Sequence, residues 1–225
     1  MRAPRRRILF ALTLGAASLS GRHASARRRA AEPGSGAWPL RAVRLVVPFA
    51  AGGSTDVAAR ILAERMGQTL VQPVVVENRA GSGGLVGAGV VAKAELDGHT
   101  LLMATTGLLS IASHLYPQMP FDPARDFALV SLAFSTDLVI TVAKDVPAGT
   151  LPEFVRYAKE RPSAVSYGSS GAGTTTHAAT ELFRLAAGLD MVHVPYRGSG
   201  PAMNDLVAGN IQLMVDQVAS AIGQI

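Results

Sequence analysis

The chain has 225 residues, with 21 Lys and Arg against 16 Asp and Glu, five His and no Cys. That length holds one or two domains, and a hydrophobic fraction of 48% is that of a globular chain rather than a disordered one. The absence of Cys excludes disulfides, thiolate catalysis and iron–sulfur ligation, while the formal charge of +5 raises a nucleic-acid partner only if the positive charge sits on the folded part.

It does not. Eight basic residues, Arg2, Arg5, Arg6, Arg7, Arg22, Arg27, Arg28 and Arg29, precede the first acidic residue, Glu32. Beyond residue 29 the balance is 13 basic to 16 acidic, a net charge of −3. The leader has a positive head at Arg5, Arg6 and Arg7, an uncharged apolar stretch over 8–19, and small residues at Ala24-Ser25-Ala26. This is the order of a secretory signal peptide, and the apolar stretch falls short of the ~20 residues of a membrane span. Residues 1–29 are therefore read as a signal peptide for export, by the general or the twin-arginine route, and 30–37 as a flexible lead-in. A basic nucleic-acid arm is the alternative. With a negative remainder and no basic–aromatic interleaving, no nucleic-acid partner is expected.

From Trp38-Pro39 onward the pattern alternates strand and helix. A strand is predicted over 43–49, a helix over 56–70 with Val57, Ile61, Leu62, Met66 and Leu70 on its apolar stripe, a strand over 74–76, a helix over 85–94 and a strand over 100–104. This order argues for a parallel α/β sheet. A further helix begins within 105–110. Residues 116–126, rich in Pro and aromatics, should form an ordered loop because Tyr116 and Phe121 seek burial. Strands are predicted over 127–134 and 138–143. A helix follows over 151–160, with Thr150 as cap, Pro152 in its first turn and Glu153 completing a capping box. Strands over 165–167, 191–194 and 211–215 then alternate with helices over 174–188 and 201–208, and a last helix starts at 218. Residues 38–130 are assigned to one lobe and 131–225 to a second. Ligands of open α/β sheets sit outside the strand carboxyl ends.

Two loops follow strands and open helices. The first carries Ala50, Ala51, Gly52, Gly53, Ser54, Thr55 and Asp56. Small residues there let backbone amides and a helix N-terminus approach an anion, although the same residues also make a plain turn and cap. The second, 167–177, has hydroxyl or imidazole groups at seven of its eleven positions: Tyr167, Ser169, Ser170, Thr174, Thr175, Thr176 and His177. With Gly173 in the turn, that donor density suits a carboxylate or phosphate. No Lys follows Gly173, so nucleoside triphosphate chemistry is not expected. Gly81, Gly83, Gly84 and Gly87 imitate a dinucleotide fingerprint but do not follow a strand directly, and read as close packing. Thr105, Thr106, Arg197 and Asp216 all end strands near these loops. Arg197 reads equally as a carboxylate partner, a hinge clamp or a solvent-facing side chain, and Asp216 as a site for an amine or a ligand-bound water.

No metal site is expected, because His99, His114, His177 and His193 lack ligand spacing. No cofactor is called for. A hydrolase built on Ser169 or Ser170, His177 and Asp216 is a minor alternative, since the chain lacks a Gly-x-Ser-x-Gly elbow. No catalytic residue is assigned.

These pieces together resemble one family. Trp38-Pro39 with the strand after it, the loop from Gly52 to Asp56, Gln72-Pro73-Val74-Val75-Val76-Glu77-Asn78-Arg79 with its glycine-rich continuation, and Asp97-Gly98-His99-Thr100-Leu101-Leu102 are similar to the Bug family of periplasmic solute-binding proteins, the receptors of tripartite tricarboxylate transporters. Tyr116, Phe121-Asp122-Pro123, Tyr167-Gly168-Ser169-Ser170-Gly171 and Val192-His193-Val194-Pro195-Tyr196-Arg197-Gly198 extend the likeness to the last residue. The resemblance implies an α/β, periplasmic-binding-protein-like, type II two-lobed flytrap that closes over a small carboxylate. Backbone amides and waters would hold the ligand at the loops around Ala50 to Asp56 and Ser169 to His177, with contacts from Thr105, Thr106 and Asp216. It further implies a monomer that delivers ligand to membrane permease subunits; a carboxylate sensor is the alternative partner role. Ala50-Ala51 replaces a more usual pair of prolines, and His99 a more usual Tyr, read as a surface change. Family members are longer, so the chain is expected to be C-terminally truncated, with lobe two incomplete, an open sheet edge and uncovered apolar faces.

Overall fold

A computed structural model describes residues 38–224; the expected signal peptide and lead-in lie outside the described residues. The structure is a mixed α/β fold of two lobes, each built on its own sheet.

The first sheet is wholly parallel, in the order β2-β1-β3. β1 (Val43–Val47) lies between β2 (Val74–Asn78) and β3 (Thr100–Leu102). Helices α1 (Ser54–Leu70) and α2 (Leu85–Ala92) make the crossovers. Val43, Leu45, Val46 and Val47 are all buried, which is why the central strand reads as apolar apart from Arg44, whose guanidinium pairs with Glu77 of β2. Leu45, Val47, Phe49, Ala59, Ala63 and Met103 form one apolar cluster, and Leu85, Ala88, Leu108, Ala112 and Phe121 another. After β3 a π-helical turn, Gly107–Ile111, continues into α3 (Ala112–Leu115). The loop that follows is ordered by Phe121, which is buried and meets Phe127 edge-on at 5.2 Å.

The second sheet runs β4-β7-β5-β6. β5 (Ser166–Ser169) is parallel to β6 (Val192–Pro195) and to β7 (Leu213–Gln217), and β4 (Leu138–Val142) is an antiparallel edge strand. Its core gathers Phe154, Val165, Tyr167, Ile211, Leu213 and Met214 under α4 (Leu151–Lys159), α5 (Thr175–Ala187) and α6 (Ser199–Val207), and α7 (Val218–Ala221) follows β7. The expected cap of α4 is present: the Glu153 carboxylate accepts from the amides of Gly149 at 2.8 Å and Thr150 at 3.0 Å. Gly188 ends α5 in the left-handed region, φ 62°, and lets the Leu189 amide reach the Arg184 carbonyl at 2.9 Å.

Two expectations fail. Residues 127–134 are not a strand, and Leu129, Val130 and Leu132 are each 84–85% exposed. An apolar run becomes a strand only where a neighbour pairs its amides and carbonyls, and among the described residues none does. Instead Phe127 turns back onto Phe121, and Phe134 packs on the first-lobe core. His99 is not a surface residue. It is buried, its ring lies 5.8 Å from Trp38, and its Nε2 accepts from the Leu40 amide at 3.2 Å. Imidazole there ties the entry of the chain to β3.

The lobes meet across glycines. The Ala50 amide donates to the Arg197 carbonyl at 2.8 Å, the Gly107 amide to Thr175 Oγ1 at 3.1 Å, and the Tyr116 hydroxyl to the Ala172 carbonyl at 3.2 Å. A Cβ on Gly107 would lie 2.6 Å from the Thr175 nitrogen, and one on Gly200 2.7 Å from the Ala51 carbonyl oxygen. Neither glycine needs a positive φ; the requirement is closeness alone. Gly107→Ala should therefore force the junction apart. It is expected to cost about 1–3 kcal/mol in urea unfolding and to raise the radius of gyration in small-angle scattering, with the far-ultraviolet circular dichroism unchanged. A variant as stable and as compact as the parent would refute the close junction.

Candidate functional site

A narrow pocket, open to solvent at its mouth, lies between the lobes. The first lobe contributes Phe49, Ala50, Gly53, Ser54, Thr55, Asp56 and Thr105. The second contributes Ser170, Thr174, Thr175, Thr176, Ser199 and Gln217. Three helices begin in this wall: α1 after Gly53, α5 after Thr174 and α6 after Gly198. Each has first-turn amides without helical partners and the positive end of its dipole there, about half an elementary charge. Among them stands Ser54, 1% exposed, whose hydroxyl has no hydrogen-bond partner. A buried hydroxyl left unpaired costs about 1–3 kcal/mol. Its place in the pocket wall offers a donor to an anion.

The first loop is braced by Asp56, itself part of the wall. Asp56 accepts from the Gly52 amide and Arg60 Nε, both at 3.0 Å, and from Asn78 Nδ2 at 2.9 Å; the same Asn78 nitrogen donates to the Phe49 carbonyl at 3.0 Å. Burial alone would raise the Asp56 pKa, but the hydrogen bonds from Arg60, Gly52 and Asn78 outweigh it and hold the carboxyl below its ordinary value. An ionised Asp56 thus secures the turn that opens α1 at the pocket.

The second wall is a hydroxyl network. Ser170 Oγ and Thr176 Oγ1 are 2.9 Å apart, Thr174 Oγ1 and Thr176 Oγ1 3.1 Å apart, and Thr174 donates to the Gly171 carbonyl at 2.7 Å. Asp216 is fully buried behind Ser199 and accepts from its hydroxyl at 2.7 Å and from the Ser220 hydroxyl. Burial raises the Asp216 pKa, opposed by hydrogen bonds from Ser220 and Ser199. A carboxylate only accepts, so the single Ser199 proton is committed to Asp216 and what Ser199 Oγ presents elsewhere is lone pairs.

Of the residues singled out in the sequence, Ala50, Gly53, Ser54, Thr55, Asp56, Thr105, Ser170, Thr174 and Thr175 share this wall. The others stand outside it. Ala51 and Gly52 are exposed at the turn, and Thr106 directly precedes the π-helical turn. Ser169 is fully buried with Oγ 2.7 Å from His193 Nε2. Gly173 donates its amide to His177 Nδ1 at 3.2 Å, behind the loop. Arg197 is exposed and joins the lobes through its carbonyl, and Asp216 is sealed under Ser199. Phe49, Ser199 and Gln217 complete the wall without having been singled out, together with Thr176, which was counted among the donors of the second loop but not assigned to the ligand. Each had a weak signal: Phe49 ends the first strand, Thr176 lies in the threonine run, Ser199 follows Gly198, and Gln217 follows Asp216.

The hydrolase alternative does not assemble. Ser170 is paired with Thr176, His177 Nδ1 with the Gly173 amide, and Asp216 with Ser199 and Ser220. The Ser–His contact that does form, Ser169 with His193, has its serine sealed beneath the loop. Among the described residues, no group of three His, Asp or Glu side chains is placed to hold a metal ion, and no helix is long and apolar enough to cross a membrane.

Residues 58–225 match the model of the tripartite tricarboxylate transporter family receptor, TctC. The chain is 44% identical over 184 residues to a UPF0065 protein in the tcbD-tcbE intergenic region of Pseudomonas sp. (strain P51), covering 82% of this chain and 54% of the relative. It is 36% identical over 189 residues to protein BugT of Bordetella pertussis, covering 84% and 58%. The chain thus spans a little over half the length of these relatives. Among solved structures, Rpa4515 of R. palustris with adipate superposes with a TM-score of 0.81 at 36% identity, over 84% of this chain and 64% of that one. MatC of Rhodopseudomonas palustris with bound malate superposes at 0.79 and 35%, over 83% and 63%. A two-lobed periplasmic-binding-protein-like fold, with its pocket where three helix N-termini converge, is thus joined to a family match across most of the sequence: the chain belongs to the tripartite tricarboxylate transporter receptor family.

Proposed function

We propose that this chain is a periplasmic solute-binding receptor that captures a small carboxylate between its lobes and hands it to the membrane permease of a tripartite tricarboxylate transporter, without chemistry of its own. The observation that carries this reading is the unpaired Ser54 hydroxyl in a wall where three helices begin. An anion there would satisfy Ser54 and the free amides together. Two relatives of similar fold hold adipate and malate, both carboxylates. Residues 1–29 serve as the export signal, 38–130 and 131–225 form the two lobes of a type II flytrap, and the protein acts as a monomer. Ala51, Gly52, Thr106, Gly173, His177 and Arg197 shape the loops, while Ala50, Gly53, Ser54, Thr55, Thr105, Ser170, Thr174 and Thr175 meet the ligand directly or through water.

The Ser199–Asp216 pair narrows the ligand. An acceptor opposite a donor-rich end favours a carboxylate with a hydroxyl or ammonium group close to its carboxyl.

A thermal-shift screen against dicarboxylates, tricarboxylates, aromatic acids and acidic amino acids should return at least one stabilising acid, and silence across all four classes would refute the receptor reading. Ser54→Ala should weaken the best acid about tenfold in calorimetry, the loss of one hydrogen bond to a charged group, while leaving the ligand-free melting temperature unchanged or higher. L-malate should bind about tenfold more tightly than succinate, and Ser199→Ala, which removes the acceptor, should shrink that ratio. An unchanged ratio would remove Ser199 from the selection of ligand.

A further inference from the structure

Behind the second-lobe wall of the pocket lies a group of titratable side chains that capture of a carboxylate does not itself use. The rings of His177 on α5 and His193 on β6 stack with centroids 4.2 Å apart and planes 20° apart. His193 also stacks against Tyr167 of β5 at 4.9 Å. Tyr167 donates to Glu181 of α5, which Arg184 of the same helix holds at 2.8 Å. The groups facing the pair are thus Tyr167 from β5 and Glu181, neutralised by Arg184, from α5.

Residues 169–174 rest on this stack. The Gly173 amide donates to His177 Nδ1 at 3.2 Å. Ser169 Oγ lies 2.7 Å from His193 Nε2 and accepts from the Gly171 amide at 3.2 Å. The segment carries Ser170 and Thr174 into the pocket wall, and its Ala172 carbonyl takes the Tyr116 hydroxyl from the other lobe. The chemistry of the first bond is one-sided. A ring nitrogen accepts only without a proton, so the Gly173 bond requires neutral His177 with its proton on Nε2. A proton on Nδ1 would set a donor against a donor. The Ser169–His193 contact has no such demand, since hydroxyl and ring can exchange roles. His177 is therefore the sensitive member.

We propose that His177 is a positioning residue of the binding site: its unprotonated Nδ1, in a ring covered by His193, holds residues 169–174 in their binding shape, and its protonation loosens that loop and releases the ligand. The release of a carboxylate rests on the receptor reading above; the loosening of the loop does not.

The direction of titration agrees. Burial lowers the pKa of His177 against the pull of Glu181, and burial followed by the charge of His177 lowers His193 to about 4. A closed loop that binds fewer protons than a loosened one is favoured above the ordinary imidazole value of about 6.5 and loses ground as the pH falls toward the depressed value.

The test uses the full chain with L-malate and adipate as probes at pH 7.5, 6.0 and 5.0. Wild-type affinity should fall about tenfold over that range. His177→Asn places an amide oxygen where Nδ1 accepts but does not titrate; it should bind within about threefold of wild type at pH 7.5 and lose the acid dependence, apart from the ligand's own titration. His177→Ala should bind weakly at every pH. Without ligand, the Gly171 and Gly173 amide resonances should follow the His177 ring in an NMR titration of the wild type and stay still in His177→Asn. An affinity level to pH 5.0, an Asn variant that keeps the full acid fall, or glycine amides blind to the ring would each overturn the proposal. If neither acid binds at pH 7.5, the receptor reading fails for those probes, and the NMR arm still decides the role of His177.

Discussion

Two lobes can offer backbone amides to one small ligand only if main chain is allowed to meet main chain. A side chain of ordinary length on either loop would hold the lobes several ångströms apart and fill the pocket itself. The junction meets this constraint with glycine. Gly53 faces Ser199, Gly107 faces Thr174 and Thr175, Gly198 faces Ala50, and Gly200 faces the Ala51 carbonyl. Closure, the shape of the pocket and the convergence of α1, α5 and α6 all depend on those approaches. The three interlobe hydrogen bonds from Ala50, Gly107 and Tyr116 hold in place what the glycines allow.

The same constraint explains the electrostatics. Beyond residue 29 the sequence carries a net charge of −3, which gives the proposed anion no long-range attraction. On that reading attraction is local and comes from dipoles that end at the pocket. Charged side chains are kept as braces: Asp56, in the wall, answers Arg60 and Asn78 at the first loop, and Asp216 answers Ser199 and Ser220 behind the second wall. Buried carboxylates near an anion site would repel it if they faced it. Here each is turned toward donors of its own, and each fixes the orientation of a group that does face the pocket.

Much of this was legible in the sequence because strand, small-residue loop and helix recur with clear punctuation. The loops ending β1 and β5 were identified as the two halves of the candidate site, and eight of the residues chosen on them share its wall, joined by Thr105 after β3. The failures have a common physical origin. His99 and the stretch 127–134 are decided by partners far away in sequence: Trp38 and the Leu40 amide cover the first, and the second lacks a pairing strand among the described residues. Ser199 and Gln217 enter the pocket only because α6 and β7 pack beside the junction, which no local pattern announces. Arg197 shows the limit most plainly. Its guanidinium was the attractive feature in the sequence, yet the structure uses its carbonyl.

The polarity of the hydroxyls separates what the fold recognises from what it leaves open. Ser54 keeps a free proton, whereas Ser199 has committed its own to Asp216. Thr174 and Thr176 are engaged in a network that leaves their oxygens fixed and mutually satisfied. The pocket therefore presents a donor at one end and an acceptor at another, both set before any ligand arrives, so little reorganisation is needed on binding. In the proposed receptor the carboxyl group is held by the amides at the three helix starts, with Ser54 adding a hydroxyl donor. On that reading, choice among carboxylates falls to Ser199 in the second lobe, whose proton is directed to Asp216.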